Sequence, residues 1–274
     1  MKRVKIICRS SRLSLLQAEI VRKKIEVALP GISVEVIGRT SRGDRESCIP
    51  LTSLEGSDFF TEEIFDALYQ GEADIAVHSL KDMSAQHYFS HDAFAIMDRD
   101  DPRDIAIFNP DILLKIKCGE PLIIGTCSPR RESMATTFLR QALPQLSESI
   151  VIETQSIRGS VESRLEQLHQ GRYDGTILAT AGLNRLLRSD AGTYIKYLLK
   201  DKRIMILPLI ECTPAPCQGA IVAEAYPGNT AMVALLMKIN NHELHQEVSI
   251  EKSEALKYGT GSLQQFGVTT FKTS

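Results

Sequence analysis

Short apolar runs alternate with amphipathic stretches along most of the chain. Val4–Cys8 reads as a buried strand. Ser14–Leu29 carries apolar residues at Leu15, Leu16, Ile20, Val21, Ile25 and Leu29, which is a helical stripe. Pro30-Gly31 stops that helix, and Ser33–Ile37 reads as the next strand. A polar loop follows over Arg39–Ser47, then an amphipathic helix over Phe60–Tyr69 and a strand over Asp74–Val77. Strand, helix, strand, helix in this rhythm predicts an α/β fold with mostly parallel strands.

The pattern then recurs. Phe60–Val77 reads FTEEIFDALYQGEADIAV and Val161–Leu178 reads VESRLEQLHQGRYDGTIL. Each is an amphipathic helix, a Gln-Gly stop, an acidic residue at the strand start and an apolar strand. The two Gln-Gly stops, at Gln70 and Gln170, are 100 residues apart. Each half also opens with a strand running into a Ser/Arg loop and a helix, IICRSSRLSLLQA and LIIGTCSPRRESMA. This predicts two similar α/β lobes, the second beginning near Pro102, with a cleft between them for a ligand. From about Lys202 the pattern changes. Ile204–Leu209 reads as a strand, Cys212–Gly219 is rich in Pro and small residues, Ala220–Ala225 is apolar and Met232–Asn240 is helical. The tail Tyr258–Ser274 is polar, with one strand candidate at Gly267–Phe271. The segment from Thr230 on is too short for an independent core of ordinary size and is expected to lean on the lobes.

Composition narrows the classes. The 274 residues suit about two domains, and 43% hydrophobic with 24% charged residues is ordinary for a globular chain. A net charge of −2 gives no global field for nucleic acid or membrane, so anion binding must come from local arginines. Trp is absent and aromatics are 6%, which argues against a base-stacking surface. The six cysteines are scattered, no His/Cys spacing fits zinc, and no metal is expected. The apolar run before Arg9 is too short for a signal peptide, and no run approaches a membrane span. Reduced thiols in a cytoplasmic protein follow.

Five stretches carry candidate chemistry. Arg9-Ser10-Ser11-Arg12 lies at a strand-to-helix turn, where hydroxyls, backbone N–H groups and a guanidinium favour an anion. Gly125-Thr126-Cys127-Ser128-Pro129-Arg130-Arg131 repeats those ingredients. Its two adjacent arginines point about 100° apart on a helix, so one can face a ligand while the other ties the lobe. His78-Ser79-Leu80-Lys81-Asp82 follows a buried strand, at the end where α/β proteins place sites. Thr40-Ser41-Arg42-Gly43-Asp44, and Arg158-Gly159 with Arg164, complete the set.

Taken together, HSLKD, TSRGD, GTCSPRRE, SIRGSV with AGLNRL, and PAPCQGA resemble the porphobilinogen deaminase (hydroxymethylbilane synthase) family, from about Val4 to about Gly261. The resemblance implies a transferase of tetrapyrrole (heme) biosynthesis. It would join four porphobilinogen units head to tail to hydroxymethylbilane, with ammonia released at each step. The implied fold is two lobes like those of periplasmic binding proteins, plus a C-terminal α/β domain that is truncated here. The first lobe would combine 1–96 with 204–225, the second span 102–202, and the truncated third domain 230–274. By motif, Asp82 matches the catalytic aspartate. Lys81, Asp44, Ser128, Arg130 and Arg131 match positions that hold a dipyrromethane cofactor. Arg9, Ser11, Thr126, Arg158, Phe60 and Gln218 match substrate-binding positions. A cytoplasmic monomer acting on a small polycarboxylate pyrrole, without nucleic acid or membrane partners, is expected.

The chain departs from the family pattern in four places. Ser262, in Gly261-Ser262-Leu263, stands where the family attaches its cofactor through a cysteine thioether, and no cysteine follows Cys217. A serine hydroxyl is a far poorer nucleophile than a thiol, so weaker activity is expected. The third domain is short. Gln155 replaces the usual arginine before Ser156-Ile157-Arg158-Gly159. The loop Ser53–Phe59 carries Glu55 and Asp58 where lysines are usual. The alternative implied by these losses is a non-catalytic two-lobed protein that binds a pyrrole or another polycarboxylate.

Overall fold

The computed structural model describes residues 3–40, 61–146, 149–258 and 265–270. Asp44, Phe60, Ser262 and the loop Ser53–Phe59 lie outside the described residues. The chain divides into two compact units; of the described residues, one holds those up to Asp100, 216–258 and Thr270, and the other holds Asp101–Ala215 and 265–269. Each is built on one five-stranded sheet.

In the first unit, β1 (Arg3–Arg9), β2 (Ser33–Arg39) and β3 (Ile75–Ser79) are parallel, with β1 in the middle. A late strand, Ala220–Ala225, runs antiparallel between β3 and β4 (Phe94–Arg99). The helix α1 (Arg12–Ala28) makes the crossover from β1 to β2, as parallel pairing requires. Ser11 caps it, its Oγ accepting the Ser14 N–H at 3.3 Å. Ala18, Val21 and Ile25, three and four residues apart, are fully buried against Val4, Ile6, Cys8, Ile75 and Val77. The expected stripe is therefore turned slightly: Leu15 is 39% exposed and Ile20 packs at the rim. The helix α2 (Glu62–Tyr69) leads into β3 through Gly71, whose φ of +75° suits a glycine.

The second unit repeats this order. β6 (Leu122–Gly125) lies between β7 (Ile152–Gln155) and β8 (Gly175–Ala179), all parallel. β5 (Asp104–Phe108) runs antiparallel beside β8, and β9 (Arg203–Ile206) runs antiparallel beside β5. The late strand of the first sheet is β10. The two sheets thus read β2-β1-β3-β10-β4 and β7-β6-β8-β5-β9, with the antiparallel insertion at the same place. Gly171, with φ +74°, stands where Gly71 does, between α6 (Val161–His169) and β8. Of the helices before it, α3 (Ala85–Tyr88) follows β3 and α4 (Ile112–Lys117) precedes β6. The helix after β6 opens with a wide turn over Arg131–Ala135 and continues as α5 (Thr136–Ala142). The helices α7 (Thr180–Leu187) and α8 (Gly192–Leu199) connect β8 to β9.

Two expected boundaries are corrected. The return to the first lobe was expected at Ile204, but β9 hydrogen-bonds to β5 in the second sheet, and the return comes at Pro216. The segment from Thr230, named as a truncated third domain and expected to lean on the lobes, contributes two helices to the first unit. In α9 (Thr230–Ile239), Met232, Leu235 and Leu236 join the core of β1, β3 and β10. In α10 (His242–Lys257), Leu244 and Val248 pack with Phe65, Tyr88, Phe94 and Cys217. An apolar helix face with no core of its own is stabilised by burying it on the nearest sheet. The strand expected at Gly267–Phe271 is not formed over its described part; there the Val268 N–H donates to the Pro214 carbonyl at 3.0 Å.

Candidate active site

In the first lobe the site residues sit at the carboxyl ends of the parallel strands. Arg9 ends β1, and Ser11 begins α1. Ser10 Oγ and Thr40 Oγ1 are 3.1 Å apart, which joins the loop after β1 to the start of the TSRGD loop. After β3 the chain makes one tight turn over Leu80–Asp82, closed by the Met83 N–H to the Leu80 carbonyl at 3.2 Å. Leu80 and Met83 are buried, which presses the turn onto the core and leaves Lys81 and Asp82 partly exposed between them. Asp82 makes no hydrogen bond or ion pair with any described residue. A carboxylate fixed by its backbone but left without a partner retains its full acceptor capacity.

The loop Pro214–Gly219 is held from behind. Glu251 on α10 is fully buried and takes the Arg99 guanidinium in a two-pronged pair at 2.8 and 3.0 Å. Its Oε2 also accepts the Cys217 N–H at 2.6 Å. Cys217 has φ +61°, uncommon for a residue with a side chain, and this bond holds it there. Gln218 is 1% exposed, and its carbonyl accepts from Arg99 Nε.

In the second lobe, Thr126 follows β6, and its N–H donates to the Gln155 carbonyl. Thr126 Oγ1 accepts the Ser128 N–H at 3.2 Å. The two arginines then divide their work. Arg130 donates to Thr213 O at 2.8 Å and to Asp104 Oδ2 at 2.7 Å, which commits its guanidinium to the lobe. Arg131 donates to Asp104 Oδ1 at 2.8 Å and to Ile177 O at 3.1 Å, while its Nε is buried without a partner. Arg158 and Arg164 have no acidic partner among the described residues, and Arg158 Nη2 is buried without a hydrogen bond. Burial, and then the like charges of Arg131 and Arg158, push the Arg164 guanidinium below its ordinary value. Asp104 pairs with Arg130 and Arg131, and the like charges of Arg131, Arg158 and Arg164 act on one another, so these surroundings favour an anion.

The sequence reading missed Asp104. Its signal was an acid opening an otherwise apolar strand, DIAIF; such a charge is fully buried only when paired. Glu251 carried no comparable signal, since it lies on a helix of low amphipathic contrast.

In one lobe Asp82 is a carboxylate after a strand end that no described residue engages, and in the other the guanidinium groups outnumber their described acidic partners. Residues 4–234 match the family model described as porphobilinogen deaminase, dipyromethane cofactor binding domain. The porphobilinogen deaminase of Thiobacillus denitrificans is 35% identical over 86% of this chain and 70% of its own length. That of Chromobacterium violaceum is 33% identical over 96% and 78%. The chain belongs to the porphobilinogen deaminase family. Among solved structures, one described as a periplasmic transporter aligns over 94% of this chain and 96% of its own, with TM-score 0.48 and 11% identity.

Proposed function

We propose that this protein is a transferase that joins porphobilinogen units head to tail into hydroxymethylbilane, releasing one ammonia per step, in tetrapyrrole biosynthesis. The observation that carries the reading is Asp82, a partly exposed carboxylate that no described residue engages, in the motif His78–Asp82. Loss of ammonia from the aminomethyl group leaves positive charge on the pyrrole. A placed carboxylate stabilises that charge and accepts the pyrrole N–H. Each substrate also carries an acetate and a propionate. Arg9 and Ser11 in the first lobe, and Thr126 and Arg158 in the second, are assigned to them.

The residues present fit dipyrromethane, which carries four carboxylates. Arg158 Nη2 and Arg131 Nε are buried without partners, and Arg164 is crowded by like charge. Ser128, Arg131 and Lys81 would hold the group, with Asp44 and Ser262 from segments outside the described residues; Arg130 braces its lobe through Asp104. When bound, dipyrromethane supplies the pyrrole carbon to which the first substrate is joined. Two of the cysteines are ill suited to attachment. Cys212 and Cys217 are buried, and burial pushes them up to about 11 and about 12, which suppresses the thiolate. With Ser262 at the family's attachment position, the group is read as held by ion pairs. The protein is read as a cytoplasmic monomer; no described helix is long and apolar enough to cross a membrane.

The test is ammonia release from porphobilinogen by the full chain, together with the intact mass after denaturation. Turnover with an unmodified mass supports the reading. A mass raised by whole pyrrole units overturns noncovalent holding, and absence of ammonia overturns catalysis.

A further inference from the structure

Behind the turn that carries Asp82, Glu224 lies at the middle of the first sheet. It sits on β10, opposite Ala76 of β3 and Phe94 of β4. Its side chain is fully buried. Two imidazoles converge on one of its oxygens: His87 Nε2 lies 2.7 Å and His91 Nε2 2.9 Å from Oε1. The other oxygen, Oε2, is buried and has no hydrogen-bond partner among the described residues. Oxygens of a buried carboxylate are ordinarily satisfied, so an empty Oε2 calls for a donor or a cation. The donor atoms of His87, His91 and Glu224 all lie within 4.8 Å of one another.

We propose that His87, His91 and Glu224 bind a zinc ion. Two imidazole nitrogens and a carboxylate oxygen are a donor set that zinc takes, and magnesium and calcium do not favour. Three protein ligands leave a fourth position for water. The surroundings are ordered for the purpose. The Phe65 ring stacks on His87, with centroids 4.0 Å apart, and His87 meets His91 edge-on at 5.3 Å. Both imidazoles keep a solvent-facing edge, with 18% and 13% of the side chain exposed, so an ion can enter.

Binding changes one contact. His91 Nδ1 accepts the Ala93 N–H at 3.1 Å, so in the metal-free state Nε2 carries the ring proton and donates it to Glu224. Coordination through Nε2 moves that proton to Nδ1 through solvent, and the ring turns away from the Ala93 N–H. The loss of that hydrogen bond lowers the expected affinity below that of closed structural sites. The sequence hid the site because its third ligand lies 133 residues beyond His91.

The test titrates Zn2+ into chelator-treated full-length protein by calorimetry. One equivalent is expected to bind, and the double variant His87→Gln/His91→Gln is expected to lose at least tenfold in affinity. Circular dichroism checks its fold, and the single variant His91→Gln stands in if the pair does not fold. Co2+ in place of Zn2+ is expected to give visible ligand-field bands without thiolate charge transfer. No Zn2+ binding, equal affinity in wild type and variant, or a thiolate band would overturn the proposal.

Discussion

Asp74 and Asp174 do the same work in two different sheets. The Asp74 N–H donates to the Lys5 carbonyl at 2.9 Å, and its Oδ2 accepts the Lys5 N–H at 2.8 Å. The Asp174 N–H donates to the Ile123 carbonyl, and its Oδ2 accepts the Ile123 N–H, both at 2.8 Å. Each aspartate therefore ties the start of one parallel strand to its neighbour, just after the Gln-Gly stop. Asp174 is also buried and ion-paired to Lys115 at 2.7 Å. Asp174→Ala is expected to cost about 2 kcal/mol and Asp74→Ala about 1 kcal/mol, since an orphaned buried donor costs more than an exposed one. Urea unfolding of the two variants measures the difference.

Asp82→Ala removes a carboxylate that supports nothing else among the described residues. Ammonia release should fall roughly a hundred- to ten-thousand-fold, the usual span for a placed acid–base group, while the melting temperature stays unchanged. A variant that melts early would show that Asp82 holds the turn over Leu80–Asp82 instead.

The arginines should separate by role. Arg130→Ala removes one of the guanidinium groups paired with the fully buried Asp104 and is expected to destabilise by about 3–5 kcal/mol. Arg158→Ala breaks no ion pair in the lobe, and is expected to leave the unfolding midpoint in place while raising the KM for porphobilinogen. Thermal melts and steady-state kinetics on the same preparations distinguish the two.

Three buried thiols set an alkaline limit. Burial pushes Cys8 and Cys217 up to about 12 and Cys212 up to about 11. In the unfolded chain a thiol ionises near about 8.5. The folded state therefore keeps protons that the unfolded state has lost, and stability is full below about pH 8.5 and falls as pH rises toward 12. Unfolding midpoints measured between pH 7.5 and 10.5 should decline, and Cys217→Ala should flatten the slope. Under native conditions at neutral pH a thiol reagent should modify the exposed Cys118 ahead of Cys8, Cys212 and Cys217.

Much of this architecture is legible in the residues. The Gln-Gly stops and the apolar strands after them reveal both lobes, because a left-handed glycine and a short continuous apolar run are local signals. Membership of a sheet is not local. β9 is four residues long and mostly exposed, so its pattern does not say whether it extends β5 or returns to the first sheet. The same limit applies at the site. GTCSPRR displays two arginines, but only the fold shows both forking onto Asp104, so that Arg130 is a brace and Arg158 is left without an acid. His87, His91 and Glu224 look unrelated until β10 is laid beside β3 and β4.

The interior position of β10 has a consequence for synthesis. The second sheet is drawn from one continuous stretch, and all its strands are made by Ile206. The first sheet cannot close until Ala225 has been made, because β10 sits between β3 and β4. On the ribosome the later lobe is therefore ready first, while the earlier one waits with the edges of β3 and β4 unpaired. Such edges attract foreign strands. The growing chain is most exposed to aggregation in the interval between Arg99 and Ala225, when four strands of a five-stranded sheet exist without the one that joins them.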